Sequence, residues 1–198
     1  MHGLICKSLE EFVRDQHGEA VWRQICLRSR APSGGFEGLR SYDDALMEVV
    51  FATAFDELGQ SRSGLLEDIG HWICTHPPLE PVRRLIRFSG TSFVDLIYSL
   101  EDIHDRARIA LPGLGLPKFS MTEPTANTFR ICSVWHMEGG GAVLTGILRA
   151  MADDYGALAL IEPGQSDRKN GKWHEFVGVT IFDQAHQEPR EFTLGQGV

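Results

Sequence analysis

Along the chain, apolar residues recur first at helical spacing and later at strand spacing. Between Ala20 and Leu27, the residues Val21, Ile25 and Leu27 fall near one stripe, and the helix they predict runs into the turn residues Ser29, Pro32, Ser33, Gly34 and Gly35. Asp43 or Asp44 opens a longer helix to about Leu58, with Leu46, Val49, Val50 and Ala54 on its apolar side and Gly59 as its stop. Ser61 or Ser63 caps the next, whose face of Leu65, Leu66, Ile69 and Trp72 ends at Pro77 and Pro78; a short helix follows over about Glu80 to Phe88. From Ser92 to Leu111, the residues Phe93, Leu96, Ile97, Leu100, Ala107 and Leu111 lie largely three and four apart, with acids and arginines on the other side. His104 falls on that stripe, before Pro112, Gly113, Gly115 and Pro117 break the helix.

Beyond Pro117 the spacing changes. Phe129 to Val134, Leu158 to Glu162 and Phe176 to Phe182 read as short strands, and Ala142 to Tyr155 as a helix with Val143, Leu144, Ile147, Leu148 and Met151 apolar. Gly164 to Lys172 predicts a polar hairpin loop and Gly195 to Val198 a frayed tail. Helices first and a small antiparallel sheet later predict an α+β fold. The expectation is a single domain over 1–198, helical at 1–90 and combining helix and sheet at 91–198.

With 42% hydrophobic and 23% charged residues, the 198-residue chain has material for a real core. Its 19 Lys and Arg against 27 Asp and Glu give a net charge of -8, and no basic run exceeds a pair such as Arg83 and Arg84. A nucleic-acid partner is therefore not expected, because phosphate binding needs a concentrated basic face. The first residues hold only the short apolar run Gly3 to Cys6, which fits neither a signal peptide nor a membrane span. Cys6, Cys26, Cys74 and Cys132 form no CxxC pair, as in a reduced cytoplasmic protein.

Candidate chemistry is sparse. His71, Cys74 and His76 offer metal-ligand types within six residues but lack a second ligand pair. Gly139, Gly140 and Gly141 precede a helix, and serve either as an anion cradle or as a permissive turn. A thiol-based sensor would need a cysteine of lowered pKa, and nothing near the four predicts one. With no GxSxG, P-loop, HExxH or GxGxxG, enzymatic activity is not expected. His104 differs, because an imidazole on an apolar stripe must hydrogen-bond or ligate something to offset its desolvation. Either a satisfied core histidine or a single axial ligand in an apolar groove answers that need.

The segment Leu100 to Phe119, LEDIHDRARIALPGLGLPKF, resembles the haem-ligating segment of the haem nitric oxide/oxygen binding (H-NOX) family, which includes the regulatory domain of the soluble guanylate cyclase beta subunit. The resemblance extends to MHGLICKSLEEFV at the start, GEAVW at Gly18 to Trp22, the Tyr42-Asp43 pair and LIRFSG at Leu85 to Gly90. It implies haem b as cofactor, with His104 as the ligand of its iron and Pro117 as the proline pressing on the porphyrin. Ile5, Val143 and Ile147 match apolar positions around the haem. Val143 matches the distal tyrosine of oxygen-binding members; a valine cannot donate a hydrogen bond, so nitric oxide is the implied ligand.

One departure stands out. The family's Tyr-x-Ser-x-Arg propionate anchor becomes Ser133, Trp135 and Met137 in one register and Val134, His136 and Glu138 in the other. Loss of the arginine removes a charge-assisted contact of roughly 1.5 to 3 kcal/mol. His136 or Arg130 are the substitutes at hand. The resemblance thus implies a nitric oxide sensor signalling to a separate protein of histidine kinase or diguanylate cyclase type. The alternative is a haem-free interaction module of the same fold, its pocket filled by side chains such as Trp135 and Met137.

Overall fold

A computed structural model describes residues 1–32, 34–88, 90–110 and 113–190, with Arg108 and Ala110 as backbone only. Helices α1 (Gly3–His17), α2 (Glu19–Ser29), α3 (Asp44–Leu58), α4 (Arg62–Thr75), α5 (Glu80–Arg87) and α6 (Phe93–Ala110) come first. Strands β1 (Lys118–Thr125) and β2 (Thr128–Trp135), helix α7 (Gly140–Tyr155), and strands β3 (Leu158–Lys169) and β4 (Lys172–Asp183) follow. The four strands form an antiparallel sheet in the order β1-β2-β4-β3, the α+β arrangement expected. The predicted helix end at Leu111, the break at Pro112, the turn residue Ser33 and the tail from Gly195 to Val198 lie outside the described residues.

Four local expectations are corrected. α1 was not foreseen as a helix; its buried Cys6, Leu9, Phe12 and Val13 share one side, and His2 caps it by accepting the Leu4 N–H at 3.2 Å. In α2 the buried apolar residues are Trp22 and Ile25, while Leu27 is 70% exposed. β1 was also not foreseen, because its outer half is exposed on both faces and carries no alternation. The stretch predicted as a loop from Gly164 to Lys172 is strand almost throughout, turning only at Asn170 and Gly171. Their φ angles of 51° and 76° are those of a type I′ hairpin, which Asn-Gly favours.

Apolar residues collect in two cores. One joins α1 to α4 and takes in Met137. The other packs the first half of α6, most of α7 and the inner face of the sheet. α7 borders both: Val143 packs on the helical core and Ile147 on the sheet core. α7 also crosses α4 at close range, since a Cβ on Gly146 would run into the Glu67 carbonyl and one on Gly70 into that of Val143. At the far end of α7, Asp154 is 1% exposed and bonds Arg83 and Arg87 of α5. No helix among the described residues is long and apolar enough to cross a membrane.

Candidate functional site

His104 owes its setting to the unequal packing of α6. Phe93, Leu96, Ile97 and Leu100 are sealed against the sheet, and beyond them the helix leaves that core. His104 is half-buried there, with Nδ1 3.2 Å from the Leu116 carbonyl oxygen. A carbonyl only accepts, so Nδ1 is the donor, and in the neutral imidazole this tautomer leaves the lone pair on Nε2. This is the arrangement that leaves a neutral imidazole oriented by one nitrogen and able to ligate through the other.

The loop 113–117 that supplies this carbonyl touches several elements. Gly113 takes a φ of 91°, and a Cβ there would lie 3.8 Å from the His2 ring. The Leu116 N–H donates to the Leu114 carbonyl at 3.0 Å. Trp135 Nε1–H donates to the Gly115 carbonyl at 2.8 Å. Pro117 abuts the start of α7, its Cγ 3.4 Å from where a Gly140 Cβ would stand.

The glycine triplet proves to be an anion cradle whose anion belongs to the chain. Glu175 on β4 accepts the Gly139 and Gly141 N–H groups at 3.0 Å, satisfying donors that the helix start leaves open. β2 pairs with β4 so that Ser133 stands opposite Glu175, and this register delivers the carboxylate. The Ser133 hydroxyl is buried beneath Gly140 without a hydrogen-bond partner, 2.6 Å from the position of a Gly140 Cβ. Sequence reasoning missed Glu175 because its role depends on a strand register.

Among the residues singled out from sequence, the loop joins His104, Pro117 and the start of α7, which carries Val143 and Ile147 one turn apart. Val143, Ile147 and Ile5 are all partly exposed, and Ile5 packs in neither core. No described contact joins Ile5 to His104. Two concavities of about 340 and 300 Å³ lie away from these residues, one beside Cys74 and Arg83 and one beside Trp22 and Cys26.

The proposed anchor substitutes are otherwise engaged. Arg130 lies on the outer face of β2, its guanidinium 4.1 Å above the Phe176 ring. His136 Nε2 is 3.5 Å from Asp44. Glu138, which takes the arginine's place in one register, receives Arg62 at its backbone carbonyl, and Arg62 also grips Glu48 at 2.9 and 3.0 Å. His104 thus has a ring nitrogen that could hold an iron, whereas among the described residues no cation at the anchor positions is set to receive propionates.

The remaining candidates resolve into structural roles. His76 stacks on Trp72 with ring centroids 4.5 Å apart and faces Asp15 at 3.4 Å. His71 is exposed, Cys74 belongs to the sheet core, and among the described residues no three His, Cys, Asp or Glu side chains form a metal set. Burial pushes the Cys6 thiol up to about 11 and that of Cys74 up to about 12; it also raises Cys26 and Cys132. All four are thereby kept in the unreactive thiol form.

Comparison with known proteins places this geometry in context. The family model described as Haem-NO-binding matches residues 2–157. A Cs H-NOX mutant carrying 4-cyano-L-phenylalanine superposes with a TM-score of 0.77 at 15% identity, covering 94% of this chain and 100% of that one. A mutant of T. Tengcongensis H-NOX gives 0.76 at 16% identity, covering 93% and 100%. Soluble guanylate cyclase 89Da of Drosophila melanogaster is 22% identical over 174 residues, which is 86% of this chain. The chain spans only 26% of that relative's length.

Proposed function

This chain belongs to the Haem-NO-binding (H-NOX) family, and we propose that it is a haem-based nitric oxide sensor acting on a separate signalling protein. Haem b, when bound, supplies the iron at which the gas is taken up. His104 would hold that iron through its free ring nitrogen, while the Leu116 carbonyl orients the imidazole through Nδ1. Pro117, rigid and backed by the start of α7, limits how the proximal side can relax. Ile5, Val143 and Ile147 would supply apolar surface facing the haem, and Val143 offers no donor to stabilise oxygen. A shift of His104 carries α6 and its loop, and the partner, of histidine kinase or diguanylate cyclase type, reads the altered surface. No residue in this scheme performs bond-making chemistry on a substrate.

The observation that carries this reading is the His104 to Leu116 hydrogen bond, which presets the imidazole for ligation. A second reading, a haem-free interaction module, draws on a different observation: Met137 is buried in the helical core and Trp135 packs against it. The two part in an absorption spectrum of protein expressed with added haem precursor. A stoichiometric Soret band that moves with nitric oxide and is lost in His104→Ala is the expected result. A folded protein with no Soret band after haem titration overturns it and leaves the cofactor-free scaffold.

A further inference from the structure

Loop 113–117 has no ladder of its own, and a few directed contacts decide where its carbonyls point. Two adjacent carbonyls are held by side chains from different elements: Gly115 by Trp135 of β2 at 2.8 Å and Leu116 by His104 of α6 at 3.2 Å. We infer that Trp135 is the positioning residue for His104, acting through these two consecutive peptides. The inference deepens the sensor reading and rests on it for the role of His104.

The coupling follows from covalent geometry. The Gly115 carbonyl and the Leu116 N–H share one rigid peptide plane. Trp135 holds the oxygen of that plane, and the Leu114 carbonyl holds its N–H at 3.0 Å. With the plane fixed at both edges, only the φ and ψ of Leu116 separate it from the Leu116 carbonyl. Leu116 precedes Pro117, and a residue before proline is confined to the extended region. The direction of the Leu116 oxygen, and hence the angle of the His104 ring, is therefore set largely by where the indole N–H stands.

Trp135 is itself well placed to transmit such a constraint. It ends β2 opposite Trp173 of β4, and its ring packs against the helical core. A continuous path runs from that core through the indole and two peptides to the imidazole. In one register Trp135 occupies the position of the family's anchor serine. This chain thus places there a side chain that acts on the histidine from the protein side.

The lock is testable in the haem-free chain, so its outcome is separate from that of the sensor reading. Long-range 1H–15N spectra at a pH where the imidazole is neutral report its tautomer. Trp135→Phe, which keeps the ring and removes the donor, is expected to lower the ratio of Nδ1–H to Nε2–H tautomer about threefold to tenfold, the span of one net hydrogen bond. By reciprocity, His104→Ala is expected to speed exchange of the Trp135 indole N–H by a similar factor of about three to ten. An unchanged tautomer ratio in a folded Trp135→Phe chain overturns the inference. Should that variant fail to fold, an unchanged indole exchange rate in His104→Ala does the same. In haem-loaded protein, the iron–histidine stretching band is expected to shift or broaden in Trp135→Phe. A missing Soret band removes the sensor reading alone, because the tautomer measurement still decides the lock.

Discussion

Two helices carry most of the residues proposed to flank the cofactor, and they are held in opposite ways. α7 is fixed along its whole length: Glu175 clamps its first amides, Gly146 lets it seat against α4, and Asp154 ties its last turn to Arg83 and Arg87. α6 is sealed into the sheet core over its first half, where Phe93, Leu96, Ile97 and Leu100 are at most 2% exposed; among the described residues of its second half Ala107 is buried, and Glu101 and His104 reach the Met121 N–H and the Leu116 carbonyl through hydrogen bonds. Past Leu100 it loses the sheet core, His104 is half-buried, and Ile109 is 82% exposed. Local stability follows buried contacts, so opening concentrates where they are few. Val143 and Ile147 therefore sit on a static wall, whereas His104 sits on the segment that a small change in bonding can displace. The proposed sensor role would draw on this asymmetry, because a two-state response requires one element to move against another that does not.

The comparison breaks most severely at Asp154. Its carboxylate is buried with two guanidiniums that are themselves 9% exposed. Asp154→Asn removes the buried charge that both guanidiniums share, although Arg83 keeps Glu80 at 2.8 Å and Arg87 keeps the Arg190 carbonyl at 3.0 Å, and breaking this buried ion pair is expected to cost about 3 to 5 kcal/mol. A urea midpoint measures the loss, and hydrogen exchange is expected to show α5 and α7 losing protection together. If α7 keeps its protection, the wall does not depend on this anchor and the contrast with α6 needs another cause.

Glu175 gives a milder break at the other end of α7. Glu175→Ala frees the Gly139 and Gly141 amides and is expected to cost about 0.5 to 2 kcal/mol, the range for a lost helix cap. Exchange of those two amides, compared with that of residues near Tyr155, tests whether the loss stays at the start of the helix. Uniform protection across α7 in this variant contradicts a clamp at Glu175.

How much of this was legible depends on the range of the interaction. α6 and α7 announce themselves through apolar residues three and four apart, and His104 stands on the first of these stripes. The family resemblance around His104 and Pro117 pointed to the fold that the superpositions bear out. The polar end of β3 escaped because both its faces are exposed, and the start of β4 because its partly buried Trp173, His174 and Glu175 show no alternation, although Asn170-Gly171 marked their turn. The Gly139 triplet read as either an anion cradle or a permissive turn, and the choice turns on Glu175, which lies 36 residues on and is delivered through the β2–β4 register. Trp135 likewise reads as a missing anchor in the sequence. Its bond to Gly115 spans an irregular loop, and no periodicity encodes that.

The smallest effect lies at the start of α6 and sharpens the contrast within that one helix. Ser92 and Asp95 form a reciprocal cap: the Ser92 hydroxyl accepts the Asp95 N–H at 3.1 Å, and the Asp95 carboxylate accepts the Thr91 and Ser92 N–H groups at 3.1 and 3.0 Å. Hydrogen bonds from Ser92, and then from Thr91, hold the Asp95 carboxyl below its ordinary value of 3.8. A depressed carboxyl stabilises the fold fully above the unfolded value, and that contribution disappears as pH falls through the folded one. The carboxylate is largely exposed, so Asp95→Ala is expected to cost less than about 1 kcal/mol at neutral pH. It is also expected to flatten the acid limb of the stability curve below about pH 4. Exchange at Thr91 and Ser92 is expected to speed up while the His104 tautomer stays as in the parent chain. A change at both ends would mean that α6 moves as one rigid rod, and the division at Leu100 would then have no mechanical meaning.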